Sequence, residues 1–341
     1  MDSNTSIETR VIINKREFSW KSFFLQWEWL LILILILILF INSSLSSYFL
    51  KYDVIAGATM TFLDKAFIVF PMVLIMIMRE IDISVGSTVA LSAVTMGVLY
   101  NMGTPMSLAI IACILVGTLC GFLNGYLIVK YQLSAVIVTL STMIFYRGLA
   151  YVILEDQSAG GFPKWFNYFG WGYVGNVPFI LLFFAICAIV AILVLHKTVF
   201  GRHIYAIGSN PKASRFSGVK VDKIKLIVFT LAGLAAAITA IFLTSRMGST
   251  RPNIANMYEL DVIAMVALGG ISTAGGKGRM PGAILAVFII GFLHYGLGLI
   301  NIPAQSLLVI TGLLLIISVT VTSFKFSSRK IQNKQANKPS K

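Results

Sequence analysis

The chain has 341 residues, of which 57% are hydrophobic and only 12% are charged, and its mean hydropathy is +0.88. A soluble domain is about one quarter charged, so a water-soluble fold of this length would lack the polar side chains to cover its surface. The formal net charge of +14 would suggest nucleic acid in a soluble protein. Here the basic residues lie between and beyond apolar runs, which indicates membrane orientation and no nucleic-acid partner.

The apolar runs predict an all-α, polytopic membrane protein with about ten transmembrane helices, because a span needs roughly 20 mostly apolar residues. The first contains "LLILILILILF", whose alternation resembles a strand but whose uncharged length predicts a lipid-facing helix. The second is short, and a broken or amphipathic helix between 51 and 80 is the alternative. The predicted spans are 27–44, 64–78, 84–101, 106–129, 133–154, 177–196, 226–245, 259–272, 282–300 and 303–322.

The distribution of lysine and arginine predicts the orientation. With a cytoplasmic N-terminus, 21 of the 27 basic residues fall on the inner side, seven of them in 197–225. This bias predicts that both termini are cytoplasmic in a bacterial inner membrane. The predicted parts are an N-terminal cytoplasmic segment 1–26, a transmembrane domain 27–322 with the cytoplasmic loop 197–225, and a cytoplasmic tail 323–341.

A weak internal repeat predicts an inverted arrangement of five plus five spans. "EIDI" at 80–83 is similar to "ELDV" at 259–262, and "NGYLIVKYQLSAVIV" at 124–138 is similar to "HYGLGLINIPAQSLLV" at 294–309. The paired segments lie five predicted spans apart, and an odd offset inverts their orientation. Chance similarity between apolar helices is the alternative.

Three charges interrupt the apolar pattern in "MREIDISVGSTVAL", at Arg79, Glu80 and Asp82. Asp82 suits a helix cap, and the Ser84–Ser87 segment allows a break in the helix. The stretch is therefore either a polar turn at the interface or a break that lines a transport path, because ionisable residues at membrane depth are costly unless they are paired or face water.

Three further polar residues lie inside predicted spans. Asn124 and Thr139 either hold helices together or line the path. Arg147 is expected to extend to the membrane interface, and its alternatives are a pair with Glu155 or Asp156 or a position facing a central cavity.

The loop 197–225 is predicted to contain a helix of about two turns at 211–217. Asn210 is a good N-cap, Pro211 suits the first helical position, and Gly218 suits the left-handed residue that ends a helix. Such a short helix is unstable alone in water, so it must dock onto its own spans or onto a partner. A basic loop attracted to anionic lipid is the alternative.

Four blocks resemble the permease subunits of sugar-importing ABC transporters, the family of ribose, xylose, arabinose, rhamnose and autoinducer-2 permeases. The resemblance covers roughly 50–320, and Glu80 stands where many members carry glycine. The blocks are "REIDISVGS" (79–87), "NGYLIVKYQLSAVIVTLSTMIFYRGLA" (124–150), "FGRHIYAIGSNPKASRFSGVKVDKIK" (200–225) and "ALGGISTAGGKGRMPGAILAVFIIG" (267–291).

The resemblance implies a membrane subunit that imports a sugar-like solute and catalyses no reaction. It implies three kinds of protein partner: ATP-binding subunits, an extracytoplasmic solute-binding protein and a second permease subunit. The short helix would be the segment that couples to the ATPase, with Phe216 as apolar anchor. Its expected residues are Asn210, Pro211, Lys212, Ala213, Ser214, Arg215, Phe216, Ser217 and Gly218. The expected path or gate residues are Asp82, Ser84, Gly86, Asn124 and Thr139.

The predicted outer loop 155–176 is rich in aromatic residues, which favour the membrane interface. Its Trp165 and Trp171, with Arg251 of the next outer loop, are candidates for docking a binding protein. The glycine-rich 269–282 lacks the phosphate-loop pattern and predicts a tight turn. No metal, cofactor or catalytic constellation is indicated. An ion-coupled secondary transporter is the alternative function, although it needs a carboxylate at the membrane midplane and those here lie at predicted span ends.

Overall fold

The computed structural model describes residues 27–46 and 48–303, with isolated positions up to 320. The predicted N-terminal segment 1–26, the tail 323–341 and most of the predicted span 303–322 lie outside the described residues. The helices are α1 Trp27–Leu45, α2 Tyr52–Ala66, α3 Val69–Ile77, α4 Val85–Asn101, α5 Met106–Lys130, α6 Ala135–Leu154, α7 Asn167–Trp171, α8 Phe179–Lys197, α9 Val199–Ser209, α10 Pro211–Phe216, α11 Val221–Met247, α12 Tyr258–Leu268 and α13 Met280–Leu299.

Two antiparallel pairs of two-residue strands are the only strands in the described chain. β1 (Ala159–Gly160) pairs with β4 (Ser249–Thr250), and β2 (Tyr173–Val174) pairs with β3 (Val177–Pro178). A 3₁₀ turn covers Lys164–Phe166. The all-α class is therefore confirmed.

Six helices within the described residues are long and apolar enough to cross a membrane: α1, α5, α6, α8, α11 and α13. A seventh span forms if α2 and α3, which meet at a bend of 43°, are counted as one. The shorter apolar α4 has 17 residues. The structure therefore supports six or seven spans by length, and the count of ten and the inverted repeat stay predictions.

The second predicted span, 64–78, is wrong in its start. Helix begins at Tyr52, and the chain bends between Ala66 and Val69, as the alternative of a broken helix expected. The predicted span began at Asp64, next to Lys65. In the fold both are buried inside the broken span and are held by ion pairs, so the charges do not mark its end.

Helix α11 separates two opposite faces of the molecule, because 27 residues at 1.5 Å each extend roughly 40 Å. At its start lie residues 77–80, 196–225 and 268–280, which we call the basic face. At its end lie residues 155–178 and 245–257, which we call the aromatic face. Hydrogen bonds within each group, such as Tyr205 to Gly278 and Trp171 to Arg246, hold each face together.

The crossing between α5 and α11 is close and depends on small residues. A β-carbon built on Gly233 would stand 2.1 Å from the Gly117 carbonyl oxygen, and one on Gly121 would stand 2.4 Å from that of Phe229. In membranes such close backbone approach supplies the packing that the hydrophobic effect cannot supply between helices. This crossing fixes α5, and with it Asn124, against the helix that connects the two faces.

Candidate functional site

Four of the five residues predicted to line a path form one buried hydrogen-bond network. Ser84 donates to Asp82 Oδ1 from both its backbone nitrogen (2.9 Å) and its hydroxyl (2.7 Å). Asn124 Nδ2 donates to Ser84 Oγ (2.8 Å). Asp82, Ser84, Asn124 and Thr139 are all at most 2% exposed. The network therefore joins the α3–α4 connection to α5, and Asp82 organises this connection without making a side-chain cap on α4.

Two more contacts extend this network to α6. Thr139 Oγ1 donates to the Ile81 carbonyl (3.4 Å), and the Tyr146 hydroxyl donates to Asn124 Oδ1 or the Cys120 carbonyl (3.1 Å each). Sequence reasoning missed Tyr146 as a member. Its signal was the spacing to Thr139, seven residues or two helical turns, which places both on one face of α6.

Gly86 lies apart from the network and contacts the start of α12. A β-carbon on Gly86 would stand 2.3 Å from Glu259 Oε2 and 2.8 Å from the Ala255 carbonyl oxygen. Glu259 is buried, and its Oε2 has no hydrogen-bond partner within the described chain. Gly86 thus admits a carboxylate at the first turn of α4, where the helix N-terminus favours negative charge.

Arg147 does not form the predicted alternative pair with Glu155 or Asp156, and its position at the interface or facing a central cavity stays a prediction. Its Nη1 donates to the carbonyls of Pro252 and Ile254 (2.7 Å each), in the connection before α12. Carbonyl oxygens and the nearby Glu259 charge offset the cost of burying a guanidinium. Arg147 therefore ties α6 to the segment that carries Glu259.

The short helix of the basic face forms where it was predicted. Asn210 Oδ1 accepts from the backbone nitrogen of Ala213 (3.1 Å), and Pro211 occupies the first turn. Gly218 has φ 83°, and Val219 N donates to Ser214 O (3.0 Å), which closes the helix in a Schellman motif. The helix spans Pro211–Phe216, one residue shorter than expected.

The outer surface of α10 is apolar and basic. Phe216 is 93% exposed, whereas Ser214 faces inward and is buried. Lys212 is exposed, and Arg215 pairs with Asp222 at the start of α11. A phenyl ring left in solvent on a helix too short to be stable alone indicates a surface made for contact with a partner.

Sequence reasoning missed the contacts that hold both flanks of α10. Arg79 Nε donates to the Gly208 carbonyl (2.6 Å), and its Nη2 donates to that of Ser209 (2.8 Å), at the end of α9. Lys225 of α11 forms an ion pair with Glu80. Two of the three charges that interrupt the apolar pattern, Arg79 and Glu80, thus contact the flanks of α10, and the third, Asp82, follows two residues later.

The glycine-rich segment packs under the same contacts and forms the expected tight turn. Gly276 N donates to the Ile77 carbonyl (2.8 Å), and Gly275 and Gly276 have positive φ. Tyr205 donates to the Gly278 carbonyl (2.7 Å). Burial raises the pKa of Tyr205, so its phenol keeps the proton that it donates.

The three docking candidates share the aromatic face. Trp165 and Trp171 are 52% and 51% exposed, and Trp171 Nε1 donates to the Arg246 carbonyl (3.0 Å). The β1–β4 pair brings this loop beside Arg251, which is exposed. A cavity of about 530 Å³ opens there. Its polar lining residues are Arg246, Ser249, Arg251, Asn253, Asn256 and Tyr258.

The carboxylates are not confined to span ends. Asp64 lies at the bend of the broken span, fully buried, and accepts hydrogen bonds from Arg246 Nε (3.1 Å) and Nη2 (2.7 Å). Lys65 pairs with Asp261 beside it. No group of three or more metal-type ligands occurs within the described residues.

Comparison with known proteins identifies relatives over most of the chain. A family model described as the permease component of branched-chain amino acid transport systems matches residues 54–319. The chain is 33% identical over 299 residues to the autoinducer 2 import system permease protein LsrD of Escherichia coli K12, covering 85% of this chain and 91% of the relative. The LsrD proteins of Shigella flexneri and Escherichia coli O157:H7 match equally.

These matches confirm the resemblance to sugar-type ABC importer permeases that the four sequence blocks indicated. The matched proteins are transport permeases and not enzymes. No solved structure matches the chain.

Proposed function

This chain belongs to the family of transport-system permease components, and from that membership we propose that it is the membrane-spanning subunit of an ATP-driven importer. Separate ATP-binding subunits would supply the energy, and the chain would form the path for the solute with a second permease subunit. A sugar or sugar-like solute of the rhamnose, pentose or autoinducer-2 class is the cargo we propose, because autoinducer 2 is the solute in the names of the LsrD relatives.

The exposed face of α10 is the observation that carries this proposal. Phe216 is 93% exposed and forms an apolar protrusion on this face. The basic residues Lys212 and Arg215 lie nearby. An isolated helix of six residues lacks the hydrogen bonds to persist alone, so its capping at both ends favours a preformed docking element. We assign Asn210–Gly218 to the contact with an ATP-binding subunit.

The buried network supports a role for the α3–α4 connection in the path or its gate. Asp82 and Ser84 place polar groups between two apolar helices, where an ionisable residue is costly and is retained for function by default. Asn124, Thr139 and Gly86 adjoin the same connection or the helix that follows it. Displacement of α4, α5 or α6 would therefore change the environment of this carboxylate.

The aromatic face is our candidate for docking a solute-binding protein outside the cell. Trp165, Trp171 and Arg251 present rigid aromatic surface and a cation, which are common anchors in protein interfaces. The excess of basic residues at the opposite face supports a cytoplasmic location for 197–225 and for both termini in a bacterial inner membrane.

The decisive experiment is co-purification of the permease with a co-expressed ATP-binding subunit. Phe216→Ala should reduce the recovered ATP-binding subunit by about tenfold, because interface anchors commonly contribute more than 1 kcal/mol. Tyr131→Ala is the matched control, since Tyr131 is an aromatic residue 57% exposed at the same end of the molecule. This control should leave recovery unchanged.

The two candidate functions differ in their energy source. An ATP-driven importer reconstituted in vesicles should take up autoinducer 2 only with ATP and the binding protein. Uptake driven by a proton or sodium gradient through this chain alone would contradict the proposal and favour a secondary transporter. Asp64 is the residue to substitute in a test of the secondary transporter, because it is a buried carboxylate within a span. Its pairing with Arg246 argues against that function, since an ion site requires a free carboxylate.

A further inference from the structure

The strongest unexplained feature of the basic face is that two adjacent side chains, Arg79 and Glu80, hold opposite flanks of α10. Arg79 binds the last two carbonyls of α9, at Gly208 and Ser209, immediately before Asn210 caps α10. Glu80 pairs with Lys225, in the first turns of α11 after α10 has ended. The segment 210–224 is therefore tied at each end to one point of the chain.

The backbone at Arg79 indicates that this contact is specific. Arg79 has φ 68°, a left-handed conformation that costs a residue with a β-carbon roughly 1–2 kcal/mol. Its position follows the last turn of α3, with Arg79 N donating to Met76 O (3.0 Å) and Glu80 N to Ile75 O (3.1 Å). Glycine is the usual residue in that Schellman position. An arginine there is compensated by what its side chain binds.

The chemistry of the contact fits this reading. The carbonyls that end a helix have no partner within it and carry the negative end of the helix dipole. A guanidinium offers several fixed donors, so one Arg79 satisfies two such carbonyls at once. Gly208 also packs closely on the Ile77 carbonyl, where a β-carbon would stand at 1.8 Å. The ends of α9 and α3 are therefore in direct backbone contact.

The two residues that follow Glu80, Ile81 and Asp82, belong to the polar network. The Ile81 carbonyl accepts from Thr139 of α6, and Asp82 accepts from Ser84, which in turn binds Asn124 of α5. Four consecutive residues thus contact both flanks of α10, then α6, then α5 through Ser84.

We propose that Arg79 and Glu80 form a clamp that transmits displacement of α10 to the Asp82–Ser84–Asn124 network. This inference rests on the proposed docking of α10 to an ATP-binding subunit. The clamp residues act as positioning residues, because they bind the flanks of α10 and make these flanks move with the α3–α4 connection.

The test uses the assembled complex and needs no solute. Cys120 is 4% exposed, and its carbonyl accepts from Tyr146 in the network, so its thiol is a native reporter. With Cys113 and Cys187 replaced by alanine, the rate of Cys120 alkylation by N-ethylmaleimide is measured with and without ATP plus vanadate. Trapping should change the rate about fivefold or more, as expected for coupled sites.

Arg79→Gly should abolish this change while the ATP-binding subunit stays bound. Glycine tolerates the left-handed backbone and removes the whole Arg79 side chain, including the guanidinium that binds α9. Arg202→Gln is the matched control, because Arg202 is an exposed arginine of α9, and it should respond as the wild type. Glu80→Lys and Lys225→Glu should each reduce the change, and the double variant should restore it.

The outcomes separate this inference from the proposed function. A full Cys120 response in Arg79→Gly would overturn the clamp while the Phe216 result stands. Loss of the ATP-binding subunit in Arg79→Gly would also overturn it, because Arg79 would then only shape the docking surface. An unresponsive Cys120 in the wild type would remove the network from the transmission route. Undiminished binding in Phe216→Ala would instead refute the proposed docking.

Discussion

The motifs "EIDI" at 80–83 and "ELDV" at 259–262 have nearly the same letters and quite different surroundings. In the first, Glu80 pairs with Lys225 near the basic face, and Asp82 accepts only neutral donors. In the second, Asp261 pairs with Lys65, whereas Glu259 keeps one oxygen without a partner in the described chain. The two motifs therefore have carboxylates at matching positions, but the groups that neutralise these carboxylates differ.

We expect the position of each carboxylate, next to a face or between helices, to decide what it contributes to stability. Near a face, water and counter-ions lower the cost of an unpaired charge, but between helices they cannot. The side chains of Lys65 and Asp261 are 10% and 14% exposed, and those of Glu80 and Lys225 are 18% exposed each. The two motifs also meet, since Gly86 leaves the space that Glu259 fills. Substitutions in the two motifs should therefore differ in cost in a definite order.

Asp261→Asn should have the largest effect, lowering the free energy of unfolding by about 3–5 kcal/mol, because it strands the buried Lys65 ammonium. The measurement is denaturation of the purified protein in detergent, followed by labelling of the buried thiols of Cys113 and Cys120 with a fluorogenic maleimide. Asp156→Asn, at an exposed loop position, is the matched control and should change stability by no more than about 0.5 kcal/mol.

A double replacement distinguishes pairing from packing at this site. Lys65→Met with Asp261→Leu removes both charges and should restore most of the lost stability, since an apolar pair of similar volume is often as stable as a buried ion pair. A double variant as unstable as Asp261→Asn would show that the charges themselves are required there.

The sequence was sufficient to predict those parts of the fold that residues close together in the chain specify. Asn210, Pro211 and Gly218 specify a capped helix within a few residues, so α10 was predicted to within one residue. The start of the second span was predicted wrongly at Asp64, and the partners that neutralise Asp64 and Lys65 lie nearly 200 residues away, at Arg246 and Asp261. The contacts of Arg79 could not be predicted for the same reason, because no local sequence signal near Arg79 indicates that it binds Gly208, 129 residues away.

Gly86→Ala should lower the free energy of unfolding by about 1–3 kcal/mol, the usual cost of overpacking. Its new methyl group would stand 2.3 Å from Glu259 Oε2 and 2.8 Å from a backbone carbonyl that cannot rotate away. Gly148→Ala in α6 is the matched control, because nothing lies within 4 Å of its β-carbon. Replacing this helical glycine should stabilise by about 0.5–1 kcal/mol. Equal effects of both variants would mean that the two motifs do not touch.

Tyr146→Phe should cost about 0.6 kcal/mol and at most about 1.7 kcal/mol, the average and the maximum measured for hydrogen bonds between membrane helices. It removes the donor to Asn124 Oδ1 and leaves that oxygen buried. The same labelling assay measures the change, with Tyr151→Phe as control, since Tyr151 is 40% exposed on the same helix. A neutral result would place Tyr146 outside the network that surrounds Asp82.

Glu80→Gln should have the smallest effect on stability, up to about 1 kcal/mol, because Glu80 and Lys225 lie next to the basic face, where water reaches Lys225 once the pair is broken. Unfolding at low and at high salt checks this, and the cost should shrink as salt rises. A loss as large as that of Asp261→Asn, unchanged by salt, would show that the first motif is as desolvated as the second. A small loss of stability together with a reduced Cys120 response to ATP would mean that the Glu80–Lys225 pair contributes far more to transmission than to folding. Such a variant would be almost as stable as the wild type and would still have lost the link between α10 and the network.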